Sequence, residues 1–237
     1  KFLPNGAVEA DRYASAFRLL DASNIAGFLL AGLLLPMFSR QLKQGESVRP
    51  LVQLGIRTIW TGALILSITL WFYATPVMQA LYTDGGPYTA EILQWLMLTF
   101  IPMSGGYIYG TLLTANASLR PMNILFGISI LINIGLNLWL IPQRAAVGAA
   151  LATFTTQSIV FTVQLWLAVR LLKLKIDLGL ILRFIILACL LIFTSHGLQQ
   201  YAWPNLLEMG LLVTTGLISA LLLRLLDVRE WLSFFKP

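Results

Sequence analysis

Residues 121–169 read PMNILFGISILINIGLNLWLIPQRAAVGAALATFTTQSIVFTVQLWLAV, with Arg144 as the one charge in 49 residues. A helix needs about 20 largely apolar residues to cross a bilayer. The stretch holds two such runs, 121–143 and 145–169, parted by Pro142 and Arg144. Barrel strands would be about 10 residues long with alternating polarity, and that alternation is absent.

Working outward, the charge-free intervals are 22–39, 58–83, 92–119, 184–207 and 209–223. The last reaches span length when taken as Leu206 to Leu226, with Glu208 and Arg224 snorkelling at its ends. The first helix is placed at Tyr13 to Phe38. The chain therefore reads as an all-α polytopic membrane protein of about seven transmembrane helices.

Composition agrees. Of 237 residues, 58% are hydrophobic and 11% charged, against about 45–50% and about 25% in a soluble domain. One cysteine, Cys189, excludes an internal disulfide framework and zinc-finger spacing. It is expected as a small buried apolar residue. One histidine, His196, excludes paired-histidine metal motifs, and its helix-end position predicts interfacial packing. The net charge of +6 is scattered between apolar runs rather than gathered on a solvated domain, so no nucleic-acid partner is expected. The lipid bilayer is the partner.

Basic residues order the topology. Segments 40–57 and 170–183 carry four each and the tail carries Arg224, Arg229 and Lys236. Alternate sides hold 12 and 4. The positive-inside rule puts the C-terminus and both basic loops in the cytoplasm. Trp71, Trp95, Trp139 and Trp203 fall near outer span ends, and Trp60, Trp166 and Trp231 near inner ones, as an aromatic belt. A start at Lys1 on the outer side, with an odd span count, is expected of the C-terminal part of a larger protein.

Short loops leave little room for catalysis. Asp84 and Glu91 flank a Gly85-Gly86-Pro87 turn and read as a solvated loop. No Walker A run, dinucleotide fingerprint or nucleophile elbow occurs. Asn116-Ala117-Ser118 matches a glycosylation acceptor but sits at an inner helix end. An enzyme is not expected.

Polar groups inside the spans carry what function there is, because charge there is costly. Arg18 and Asp21 are three apart on the first helix, about 60° from each other, and Asn24 lies a further 60° round. Arg18 sits about 10 Å in, at 1.5 Å per residue. An arginine there could meet a phosphate bidentately, with Asp21 holding it or carrying a coupling proton. The same pair could be a local ion pair that anchors the helix. Ser129, Asn133 and Asn137 make one stripe; Thr153, Gln157 and Gln164 make another. These would line a hydrated cavity or form interhelical hydrogen bonds. Pro102 to Gly106, with Gly105 between them, reads as a hinge or as a static kink, and Gly106 with Gly110 makes a close-packing face.

The runs Ala10-Asp11-Arg12-Tyr13-Ala14-Ser15-Ala16-Phe17-Arg18-Leu19-Leu20 and Leu35-Pro36-Met37-Phe38-Ser39-Arg40 resemble a helix of polysaccharide flippases. Ile132-Asn133-Ile134-Gly135-Leu136-Asn137, Leu140-Ile141-Pro142 and Val147-Gly148-Ala149-Ala150-Leu151-Ala152-Thr153 resemble that family's next block. The family is the polysaccharide/O-antigen flippase branch of the multidrug/oligosaccharidyl-lipid/polysaccharide (MOP) exporter superfamily. The resemblance covers residues 8–175. It departs where Gln143-Arg144-Ala145-Ala146 replaces the glycine that usually follows the Ile-Pro.

The resemblance implies a two-lobed transporter of the bacterial inner membrane. Residues 1–175 would be most of its C-terminal lobe, and 176–237 two additional helices and a cytoplasmic tail. It implies alternating access and an undecaprenyl-pyrophosphate-linked oligosaccharide cargo, moved from inner to outer leaflet. It implies that Arg18 contacts the phosphate, with Arg12 at the outer mouth and Asp21 orienting Arg18 or coupling to an ion. Asn24, Asn133, Asn137 and Gln157 would belong to the binding cavity. No cofactor or metal is expected; coupling to a proton or sodium gradient and association with polysaccharide polymerase or assembly proteins are. A drug/cation antiporter of the same superfamily is the alternative, with Asp21 as its acid. A membrane-embedded glycosyl-transfer enzyme and a non-transporting assembly subunit are further readings.

Overall fold

The computed structural model of the chain describes residues 5–201 and 203–226. Lys1, Arg229, Trp231 and Lys236, which entered the charge and tryptophan readings, lie outside the described residues. Among the described residues the fold is all helical: α1 (Gly6–Gln44), α2 (Arg49–Phe72), α3 (Ala74–Leu81), α4 (Pro87–Ala115), α5 (Leu119–Leu172), α6 (Leu178–Leu198) and α7 (Asn205–Leu222). Six of these, all but α3, are long and apolar enough to cross a membrane.

Local chemistry sets the helix ends. α1 stops at Gly45, whose φ of 70° is left-handed and favours glycine. The following Glu46 N–H donates to Gln41 O at 2.9 Å, satisfying a terminal carbonyl. α4 starts at Pro87, with Gly86 N–H donating to Thr89 Oγ1 at 2.8 Å. Asp177 caps α6 by accepting from Leu180 N–H at 3.1 Å, and accepts from Gln53 Nε2 at 3.0 Å. That carboxylate therefore also ties α6 to α2.

α5 is one helix in name only. Ala145 breaks it at φ 47°, ψ −126°, just after Pro142. The two arms fold back on each other. Asn133 Nδ2 donates to Thr156 Oγ1 at 3.2 Å, and Leu125 and Ser129 share a crevice with Ile159 and Val163. Residue sums stay nearly constant along that contact, as in an antiparallel hairpin. Gly148 makes the turn fit: a Cβ there would lie 2.4 Å from Leu140 O. Each arm exceeds the about 20 residues of a span. The structure therefore has seven span-length segments, as the charge-free intervals predict.

α4 is the centre of the bundle, packed by α1, α2, α3 and α5; α6 and α7 pair with each other and lie on α2. Two cores result. One gathers Ala16, Leu20, Ile92, Leu93, Leu96 and Met97 of α1 and α4. The other joins Phe38, Leu51, Ile56, Ile108, Leu112, Leu187 and Leu212.

The structure corrects several expectations. α1 extends beyond Tyr13 to Phe38 at both ends. The interval 58–83 is not one helix: the chain breaks at Tyr73 and restarts as α3. Cys189 is exposed rather than buried, because α6 packs mainly on α2 and α7 and turns much of its surface outward. Glu208 does not snorkel. It is buried in the first turn of α7, and its carboxylate accepts from Tyr73 Oη at 2.9 Å and Trp203 N–H at 3.1 Å. A buried acid needs such donors. His196 packs edge-on against Phe72, as expected.

Candidate functional site

A cleft of about 590 Å³ opens between α1, α4 and both arms of α5. Pockets that take small molecules run about 300–1,000 Å³. Its α1 wall is Phe28, Ala31, Gly32 and Leu35, its α4 wall includes Tyr107 and Thr111, and α5 contributes Gln157 and Gln164. α1 and α4 can approach because Gly27 has no side chain: a Cβ there would sit 2.5 Å from the Tyr107 ring.

The exposed face of α1 leads into this cleft. Arg18 and Asp21 are both exposed on it. Asp21 is seven residues before Phe28, which at 100° per residue puts them within about 20° on the helix and about 10 Å apart along it. Among the described residues Arg18 and Asp21 form no ion pair with each other. The one salt bridge there joins Arg12 to Glu9 at 2.8 Å. A local Arg18–Asp21 anchor is therefore not what holds this helix.

Arg12 is engaged elsewhere. Its guanidinium also stacks 5.4 Å from the Tyr88 ring centroid. Glu9, beneath it, accepts from the Tyr88 hydroxyl and from Ala146 N–H at 3.3 Å. This cluster joins α1, α4 and the bend of α5 at one end of the bundle. Tyr13 and Thr153 hydroxyls, 3.2 Å apart, extend it.

Asn24 is buried, and its Oδ1 has no partner. Asn133 and Asn137 face the hairpin, not the cleft. Asn137 Nδ2 donates to Asn133 Oδ1 and O, each at 2.9 Å, and Asn133 donates to Thr156. Only the Asn133–Thr156 bond runs between the two arms; the Asn137 bonds stay within one helical turn. Gln157 does line the cleft. Gly105 packs tightly, with a Cβ there 2.4 Å from Phe161 and 2.8 Å from Trp60 Nε1, and α4 stays helical through Pro102. Gly106 faces Gln164 instead, at 3.1 Å to Oε1.

Two participants were not singled out from sequence, Glu9 and Tyr107, and Gln164 was read only as part of a stripe. Gln164 had a visible signal, since it lies seven residues after Gln157 on one helical face. Glu9 had none, because its partners come from helices far along the chain.

The profile of the lipid II flippase MurJ family matches residues 1–229. The chain belongs to that family. It is also similar to the lipid III flippases of Escherichia coli (strain K12) and Shigella flexneri, each 27% identical over 129 residues. Those alignments take in 54% of this chain and 31% of each relative, so the chain spans about a third of the length of the curated relatives it matches. Family and relatives are named for flippases, which are transporters rather than enzymes. The MOP superfamily and the lipid-linked class of cargo expected from the sequence agree with these matches. The family shown is that of lipid II flippases.

Proposed function

We propose that this chain forms most of the C-terminal lobe, residues 1–175, and two trailing helices of a flippase. The flippase moves an undecaprenyl-pyrophosphate-linked oligosaccharide from the inner to the outer leaflet of the bacterial inner membrane by alternating access. The observation that carries this reading is the family match over residues 1–229. Arg18 supports it: an exposed arginine within a span-length helix, without hydrogen bond or ion pair among the described residues, is free to take a pyrophosphate bidentately. Asp21 beside it would couple transport to a proton or sodium gradient. The C-terminus lies in the cytoplasm in this reading.

The test depletes the full-length gene in the source cell, then quantifies polyprenyl-pyrophosphate saccharides and their leaflet. Accumulation of a complete unit on the cytoplasmic leaflet is expected. A normal pool with normal sidedness overturns the reading. Arg18→Ala in the full-length protein should slow flipping; a wild-type rate removes its phosphate role. The similarity to lipid III flippases supports a second cargo of that lipid class; a surface-polysaccharide repeat unit handed on to polymerase and assembly proteins rests on the resemblance of residues 8–175. The mass of the accumulated lipid separates the two.

A further inference from the structure

The cleft between α1, α4 and α5 contains more free hydrogen-bonding capacity than a packing crevice would tolerate. Gln164 is 4% exposed, and its Oε1 has no hydrogen-bond partner. Its carboxamide lies flat over the glycine face of α4, with Oε1 3.1 Å from where a Gly106 Cβ would be and Nε2 3.1 Å from the same point on Gly110. The two glycines thus make room for an amide that bonds to nothing. Tyr107, Thr111 and Gln157, which line the same cleft, also hydrogen-bond to none of the described residues. Buried polar groups are ordinarily satisfied, so the orphaned Gln164 carboxamide, with the half-buried Tyr107, Thr111 and Gln157 beside it, marks a place for an occupant.

The lining identifies the occupant's chemistry. Among the described residues no charged side chain lines the cleft, so these residues offer a phosphate no counter-charge there. A hydrocarbon tail would leave the carboxamide and hydroxyls unsatisfied. The rings of Phe28, Tyr107 and Phe126 offer flat apolar faces beside the polar groups, a combination suited to a neutral sugar. A carboxamide pairs best with another amide, accepting its N–H and donating to its C=O.

We infer that Gln164, in the α1–α4–α5 cleft, is a specificity residue that reads the N-acyl group of a sugar in the lipid-linked cargo. This rests on the flippase reading and adds a neutral subsite separate from the phosphate contact at Arg18.

The test uses the full-length protein in nanodiscs and three probes: undecaprenyl-pyrophosphate-N-acetylglucosamine, undecaprenyl-pyrophosphate-glucose and bare undecaprenyl pyrophosphate. Wild type should bind the N-acetyl probe most tightly. Gln164→Leu should weaken that probe about tenfold or more, the loss of a buried amide's partner, and leave the bare lipid unchanged. Gln164→Asn should recover part of the loss. Retained binding of the bare lipid is the folding control; should Gln164→Leu fail it, Thr111→Val and Tyr107→Phe carry the same expectation. Equal wild-type affinity for the N-acetyl and glucose probes overturns the amide assignment. Equal weakening of all probes, or of none, overturns the subsite. If wild type binds none of the three lipids, the flippase reading falls and this inference falls with it.

Discussion

Tyr73 Oη donates to the Glu208 carboxylate at 2.9 Å, across 135 residues of sequence, and fastens the break between α2 and α3 to the first turn of α7. Trp203 N–H, from the segment leading into α7, fills another position on the same carboxylate at 3.1 Å. The arrangement explains why an acid sits buried in an otherwise apolar helix pair.

Replacing Glu208 with Ala would leave a phenol and a backbone N–H without acceptors. Each such loss costs about 1–3 kcal/mol. Glu208→Ala should lower the detergent-solubilised melting temperature measurably more than Glu208→Gln, whose amide oxygen still accepts. Equal melting temperatures would show that the tie contributes nothing.

The same pair predicts a pH dependence. Burial, and then the hydrogen bond and negative charge of Glu208, push the Tyr73 phenol up from its usual 10 to about 12. A raised acid binds its proton more tightly in the folded state. The tie therefore contributes in full below pH 10 and is lost as pH rises from 10 to 12. Thermal melts from pH 8 to 11 should show a steeper decline in wild type than in Tyr73→Phe.

Ala145 holds φ 47°, ψ −126°, a backbone conformation where a Cβ is strained at a cost on the order of 1–3 kcal/mol. Glycine removes that strain and costs only about 0.5–1 kcal/mol of extra unfolded-state entropy. Ala145→Gly should raise the melting temperature, and Ala145→Val should lower it.

The hairpin of α5 depends on closeness at Gly148. An added Cβ meets Leu140 O, a backbone atom that cannot rotate away. Gly148→Ala should destabilise by about 2 kcal/mol or more. Gly32→Ala, mid-helix and with nothing within 4 Å of the added Cβ, should stabilise by up to about 1 kcal/mol. Paired melts of the two variants check this.

Glu9→Gln should loosen the α1–α4–α5 cluster, because the Arg12 ion pair is lost and the donors Tyr88 and Ala146 face a weaker acceptor. Faster hydrogen exchange at residues 146–149 is the expected readout; unchanged exchange there would mean that Pro142 and Gly148 hold the bend by themselves.

The number of spans was legible in sequence because unpaired charge is expensive in lipid, so charge-free length is nearly a ruler. Burial was not legible. In lipid the outside of a bundle is as apolar as its inside, so nothing in the run around Cys189 marked it as exposed, while Glu208 gave no sign of its two donors. The break at Tyr73 was hidden because Tyr73-Ala74-Thr75-Pro76 is uncharged. The site was half legible. Arg18, Asp21 and Gln157 share the accessible α1–α4–α5 surface, but Asn133 and Asn137 are spent on each other and on Thr156, since a stripe of amides has one signature whether it faces a cavity or a neighbouring helix. Gln164 was visible as part of a stripe. Its importance came from Gly106 and Gly110, which only tertiary packing places opposite it.

Cys189, exposed on α6, is the one thiol in this chain. Cys189 is the twelfth of the 21 residues of α6, so a small membrane-permeant thiol reagent would place a probe in the lipid half-way along that span. Placed on a helix that packs mainly on α2 and α7, the probe would register whether the trailing pair stays put while cargo is loaded, turning a lone sulfur into a reporter of the transport cycle.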